Sequence, residues 1–128
     1  MIDHIGLQVG DPVVSRAFYD AALAPLGYRM LVEIPKEHTG GTIVFGYGVP
    51  PKADFWVSEG TPNDPRVHVA FRAETHEQVN KFYQEALAAG GKDNGRPGPR
   101  PHYHKDYYGA FVLDPDGHNI EAVCRDPK

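Results

Sequence analysis

The sequence predicts an α+β domain built from one module used twice, and three observations carry that prediction. Sliding the chain against itself by 64 positions aligns His4-Ile5-Gly6-Leu7 with His68-Val69-Ala70-Phe71, Phe18-Tyr19 with Phe82-Tyr83, Ala22-Leu23-Ala24 with Ala86-Leu87-Ala88, and Gly27 with Gly91. Each half has a short alternating stretch followed by a one-faced helical pattern. Each helix is then followed by stretches of strand character, the last two flanking the turn sequence Asp114-Pro115-Asp116-Gly117. Strand, helix and a run of strands in each half imply helices packed on one face of largely antiparallel sheet. A length of 128 residues suits a single domain, 1–128, with modules at about 1–60 and 64–128.

The first strand starts at His4 and alternates, with Ile5, Leu7 and Val9 on one side and His4, Gly6 and Gln8 on the other. Asp11-Pro12 opens the first helix, because aspartate can cap it and proline at the first position lacks only an N–H that has no helical partner. The helix runs to about Leu23, and strands are expected at Arg29 to Ile34, Thr42 to Phe45 and Asp54 to Val57. In the second module Val67, Val69 and Phe71 oppose His68, Ala70 and Arg72. Thr75 and Gln78 form a capping box, and Val79, Phe82, Tyr83, Ala86 and Leu87 then share one helix face before Gly90-Gly91 stops it. Gly109 to Leu113 and Asn119 to Cys124 make a hairpin, whereas Gly95 to His102, interrupted by three prolines, reads as an edge strand or a loop.

Hydrophobic residues at 41% and charged residues at 23% are ordinary for a globular chain. The net charge of -4 argues against nucleic acid as the principal ligand. No apolar run approaches the roughly 20 residues of a membrane span, and Met1-Ile2-Asp3-His4 has neither the basic nor the apolar region of a signal peptide. A cytoplasmic protein without a membrane partner is expected. Cys124 is the single cysteine, which excludes an intrachain disulfide and a cysteine-rich zinc site, and its spacing from Ala122 suits a small buried side chain.

In the last strand Ile120, Ala122 and Cys124 oppose Glu121 and Val123, so His4, His68 and Glu121 all lie opposite the apolar sets. Two imidazoles and a carboxylate suit a divalent ion (Fe, Mn, Ni or Zn) with positions left open for substrate. The same three could be polar residues satisfied by hydrogen bonds, with Glu121 as a charge partner. The metal reading is preferred because the histidines are repeat-related and a half-buried glutamate is uncommon unless paired or metal-bound.

The proline-rich, aromatic and basic segment from Gly95 to Tyr108 is expected to border the cleft. Arg96, Arg100 or Lys105 can meet an anionic group there, Arg100, His102 and His104 are taken as substrate-binding, and Tyr108 as a proton donor or oxygen-orienting group. His38 can line the cleft from the other half. Phe45, Phe55 and Trp56 add aromatic surface, and a cleft-facing Phe55 implies a substrate with an apolar or planar portion.

Three segments, Asp3-His4-Ile5-Gly6-Leu7-Gln8-Val9, Val67-His68-Val69-Ala70-Phe71 and Gly109 to Val123 with its Asp-Pro-Asp-Gly turn and following Glu121, together resemble the vicinal oxygen chelate superfamily of glyoxalases, bleomycin-resistance proteins and extradiol dioxygenases. The resemblance covers nearly the whole chain. It implies two βαβββ modules forming a curved, mostly antiparallel sheet around a cleft, with the helices on the outer face. It also implies metal ligands at His4, His68 and Glu121, a small-molecule substrate chelated through vicinal oxygens, and a homodimer. Glyoxalase I enzymes add a fourth ligand on the last strand of the first module. Aligning Val44 to Val57 on Ala110 to Val123 places Phe55 opposite Glu121, and a slip of one position brings up Asp54 or Trp56. The expected function is therefore a metal-dependent lyase, isomerase or dioxygenase with three protein ligands, in which Glu121 also acts as base. The alternative is a metal-free small-molecule-binding protein of the bleomycin-resistance kind.

Overall fold

The computed structural model describes residues 1–128. The first module comprises β1 (Ile5–Val9), α1 (Pro12–Leu23), β2 (Arg29–Ile34), β3 (Val44–Gly48) and β4 (Phe55–Glu59). The second comprises β5 (His68–Arg72), α2 (His76–Ala88), β6 (Lys92–Pro99), β7 (Tyr108–Leu113) and β8 (Asn119–Cys124). Asp11 caps α1 by accepting from the backbone N–H of Val13 and Val14, ahead of Pro12. Thr75 caps α2 through Gln78 N–H at 3.1 Å, but the Gln78 side chain accepts from Glu74 N–H rather than from Thr75, so the capping box is shifted by one residue.

The strands divide into two four-stranded sheets with the same plan, ordered β1-β4-β3-β2 and β5-β8-β7-β6. In each, the first strand pairs parallel with the last and the other pairs are antiparallel. The duplication is thus a duplication of topology. The proline-rich stretch does form an edge strand, with register shifts on either side of Gly95, since prolines that cannot donate are tolerated at an edge.

One core joins the halves. Phe18, Tyr19, Phe55, Phe71, Val79, Phe82, Ile120 and Cys124 belong to the same cluster of 22 buried residues. The Phe55 ring stands edge-on to Phe71 at 5.0 Å and lies 5.3 Å from Tyr19. Polar clasps add to this core. The Tyr19 hydroxyl donates to buried Asp114 at 2.6 Å, and the other oxygen of Asp114 accepts from His118 N–H and Asp116 N–H. His118 is fully buried; its Nδ1 accepts from Val67 N–H at 3.2 Å, which leaves Nε2 to donate to Gln8 O at 2.8 Å. The Asp-Pro-Asp-Gly-His turn therefore fastens the end of β1 to the start of β5.

Candidate functional site

β8 carries Glu121 on the side opposite the helices, where it is 1% exposed. Its Oε1 lies 2.9 Å from His68 Nε2, and its Oε2 accepts a hydrogen bond from the Tyr107 hydroxyl. The β5–β8 register places Ala70 beside Glu121 and His68 beside Asn119. The β7–β8 register adds Phe111 opposite Glu121, with its ring 6.2 Å from that of His68. A Cβ on Gly109 would lie 3.2 Å from the Tyr107 ring and 3.4 Å from Glu121 Oε2, so a bare backbone there makes room for the pair. Burial, and then the Glu121 contact, push the Tyr107 phenol well above its ordinary value, so it stays protonated and donates. Arg125 lies over the Tyr107 ring at 5.1 Å.

His68 and Glu121 are therefore brought together, while His4 is not joined to them. His4 precedes β1, is exposed, and holds the Asp3 carboxylate through Nδ1 at 2.7 Å; Asp3 also pairs with Lys52. These contacts lower the Asp3 pKa, the His4 hydrogen bond first. His4 and His68 both line a groove of about 340 Å³ between the modules, yet no three His, Cys, Asp or Glu side chains in the chain converge well enough to hold an ion. The His118 clasp explains this. It ties Gln8, not His4, to the base of β5, and four residues of extended strand put His4 about 13 Å from that tie.

The strand registers correct two expectations. Gly6 and Ala70 are repeat equivalents, and they pair with Trp56 and Glu121 respectively, so Trp56 stands where Glu121 stands in the other half. Phe55 pairs instead with Ile5 and is 1% exposed in the core, so it offers no open aromatic face for substrate. The ungapped alignment placed the hairpin one residue off, and in a strand a one-residue shift exchanges faces. Asp54 sits at the groove with Tyr28, whose phenol is pushed up to about 12 by burial first and then by that carboxylate. Trp56 lies across Gly46, where a Cβ would come within 2.7 Å of its ring, and with His4, Gly6, Ile34, Val44 and Ser58 it borders a depression of about 520 Å³.

Tyr108 is the other correction. Its hydroxyl donates to Asn80 at 2.8 Å and its ring stacks on His76 at 3.9 Å, both on α2, so it points away from Glu121. Tyr107 is the tyrosine at the site. It was missed because the loop before β7 has no alternation from which to assign a face. His102 packs against Tyr103 and His104 accepts from Asp106 N–H, both exposed on that loop and neither joined to the His68–Glu121 pair. His38 lies exposed in a single 3₁₀ turn. Arg100 does reach the site face, over Phe111 at 5.5 Å.

No helix is long and apolar enough to cross a membrane. No curated protein matches the sequence. Among solved structures, a glyoxalase/bleomycin resistance protein from Albidiferax ferrireducens T118 is 28% identical with a TM-score of 0.76, over 97% of this chain and 98% of that one. A glyoxalase/bleomycin resistance protein/dioxygenase family enzyme from Burkholderia phytofirmans PsJN shares the fold at 20% identity and TM-score 0.69, over 97% of this chain and 98% of that one. A glyoxalase I mutant from Zea mays shares it at 23% identity and TM-score 0.71, over 95% of this chain and 46% of that one. Residues 1–122 match the sequence profile of the Glyoxalase/Bleomycin resistance protein/Dioxygenase superfamily, and the chain belongs to that superfamily.

Proposed function

We propose that this chain is a metal-dependent enzyme acting on a small substrate with two vicinal oxygens, and that two copies of the chain complete each site. The observation that carries this reading is the buried Glu121 carboxylate set 2.9 Å from His68 Nε2 on an open sheet face. Donor atoms of two ligands on one first-row ion lie about 3 Å apart, given bond lengths near 2.1 Å. His68 and Glu121 supply a nitrogen and an oxygen, and His4 is the third ligand, supplied by a second copy. Asp3 supports that role, because a carboxylate on Nδ1 fixes the imidazole tautomer and leaves Nε2 free to bind.

His68, Glu121 and the second copy's His4 would hold a divalent ion, which would supply Lewis-acid polarisation of the two substrate oxygens. The chain's own residues do the rest. Tyr107 holds Glu121 by one oxygen and so aims the other, which faces His68, as the ligand; that oxygen takes a substrate proton only when it is off the ion. Phe111 keeps the face beside His68 and Glu121 apolar, and Trp56 the face beside His4.

Metal titration of chelator-treated protein with Mn(II), Ni(II), Zn(II) and Fe(II) tests the reading. One ion should bind per chain, with affinity falling at least about a hundredfold in His68→Ala and Glu121→Ala, beyond what loss of a supporting residue costs. Mixing His4→Ala chains with Glu121→Ala chains should restore one intact site per mixed dimer. Binding that survives all three substitutions sinks the metal site, and a mixture that restores nothing sinks the shared site. The second reading, a metal-free binding protein, is favoured by Trp56 in place of a fourth ligand; ligand binding that persists in all three variants establishes it.

A further inference from the structure

Arg100 stands beside the site and has no carboxylate partner: every ion pair in the chain involves other residues. Its guanidinium is nevertheless fixed. Nη1 donates to Gly98 O and Nη2 to Arg96 O, each at 2.8 Å, and the group lies over the Phe111 ring. Two glycines make the space, since a Cβ at Gly95 would come within 3.3 Å of Nη2 and one at Gly98 within 3.4 Å of Nη1. Gly95 also adopts φ +151, which a side chain would strain. Of five donors, two are engaged, and three remain for something else.

Arg100, Asn94, Tyr103, Phe111 and Asn119 border a depression of about 380 Å³. Asn119 is two residues before Glu121 on β8 and so shares its face. The Asn94 amide donates to Asn119 Oδ1 at 3.2 Å, leaving the Asn119 amide N–H groups free to donate. Phe111 is the common wall, with its ring against His68 on one hand and under Arg100 on the other. The loop that ends in Tyr107 is closed by Arg100 N–H donating to Tyr107 O at 2.7 Å, so one loop sets both the guanidinium and the tyrosine that holds Glu121.

We infer that Arg100, with Asn119, binds a carboxylate on the substrate, one aromatic ring away from the atoms His68 and Glu121 address. The inference deepens the proposed function by naming the substrate as an acid. A planar fork matches a carboxylate in bidentate geometry. A single positive charge flanked by neutral amides balances a monoanion and leaves a phosphate dianion half compensated. Arg100 is unlike Arg16, which faces Asp20 and Glu33 and is neutralised within the fold.

The test is a titration of metal-free protein with propionate and, separately, with inorganic phosphate, followed by amide chemical shifts. Propionate should give saturable shifts at Gly95, Gly98 and Asn119 and in the Asn119 side-chain amide. Binding should vanish in Arg100→Gln and weaken at least about tenfold in Arg100→Lys, which keeps the charge and loses the fork. Shifts that fail to saturate, that persist in Arg100→Gln, or that are equal in Arg100→Lys overturn the inference. Saturation by phosphate alone overturns the assignment to a carboxylate. Because no metal is present, this result is independent of whether His68 and Glu121 bind one.

Discussion

Glu121 is satisfied at both carboxylate oxygens inside the protein, by His68 on one side and Tyr107 on the other. Removing the Tyr107 hydroxyl leaves a buried acceptor without a donor, which costs about 1–3 kcal/mol. Tyr107→Phe should therefore lower the unfolding free energy by that much, read as a lower urea midpoint at unchanged slope, whereas Tyr108→Phe should leave metal affinity unaltered because its hydroxyl serves Asn80 on α2. Equal metal affinity in wild type and Tyr107→Phe would show that the tyrosine does not position Glu121. His68 and Glu121 were legible in the sequence because repeat and strand alternation fix a side chain to a face. Tyr107 was not, since two adjacent tyrosines in an irregular loop differ only in register, and register is a tertiary property.

At the scale of elements, β4 sets the character of the first module's open face. Trp56 is the only tryptophan, and it lies on the face bordered by His4. Its fluorescence should change on ligand binding to that face and should be indifferent to propionate binding at Arg100. Gly46→Ala places a methyl within 2.7 Å of the Trp56 ring, and overpacking of this kind costs about 1–3 kcal/mol. A shifted tryptophan emission with reduced thermal stability is expected; unaltered emission counts against the ring lying across Gly46. The helices, the capping residues and the Asn119–Cys124 strand followed directly from local pattern. The face of β4 did not, because the registers relate the two hairpins by 65 positions where the first strands are related by 64, and nothing local reports that one extra residue ahead of the second hairpin.

For the whole molecule, burial and acidic neighbours raise the phenol pKa values of Tyr19 and Tyr47, through Asp114 and Asp20 respectively. A phenol raised in the folded state keeps its proton when the unfolded phenol, near 10, has lost its own. That stabilisation is complete below about pH 10 and is lost as pH rises above it toward the folded values. Phenolate absorbance should thus show exposed tyrosines titrating first, with Tyr19 and Tyr47 appearing only as the chain unfolds. Smooth titration of all seven tyrosines without loss of structure would contradict their burial. The repeat foretold two modules of one plan, expected to share a curved sheet, and the structure gives each module a four-stranded sheet of its own. The repeat could not foretell how the sheets are placed against each other, because that is set by side chains such as His118 and Asp114 that each half uses on the other. Asp114→Ala should cost about 3 kcal/mol or more by stranding the Tyr19 hydroxyl and two backbone N–H groups. Since the Asp-Pro-Asp-Gly-His turn earns its place as a clasp between halves, its presence in a chain reports architecture and carries no information about chemistry. A relative can keep that turn intact while losing every ligand, so scanning genomes for the signature counts folds rather than activities.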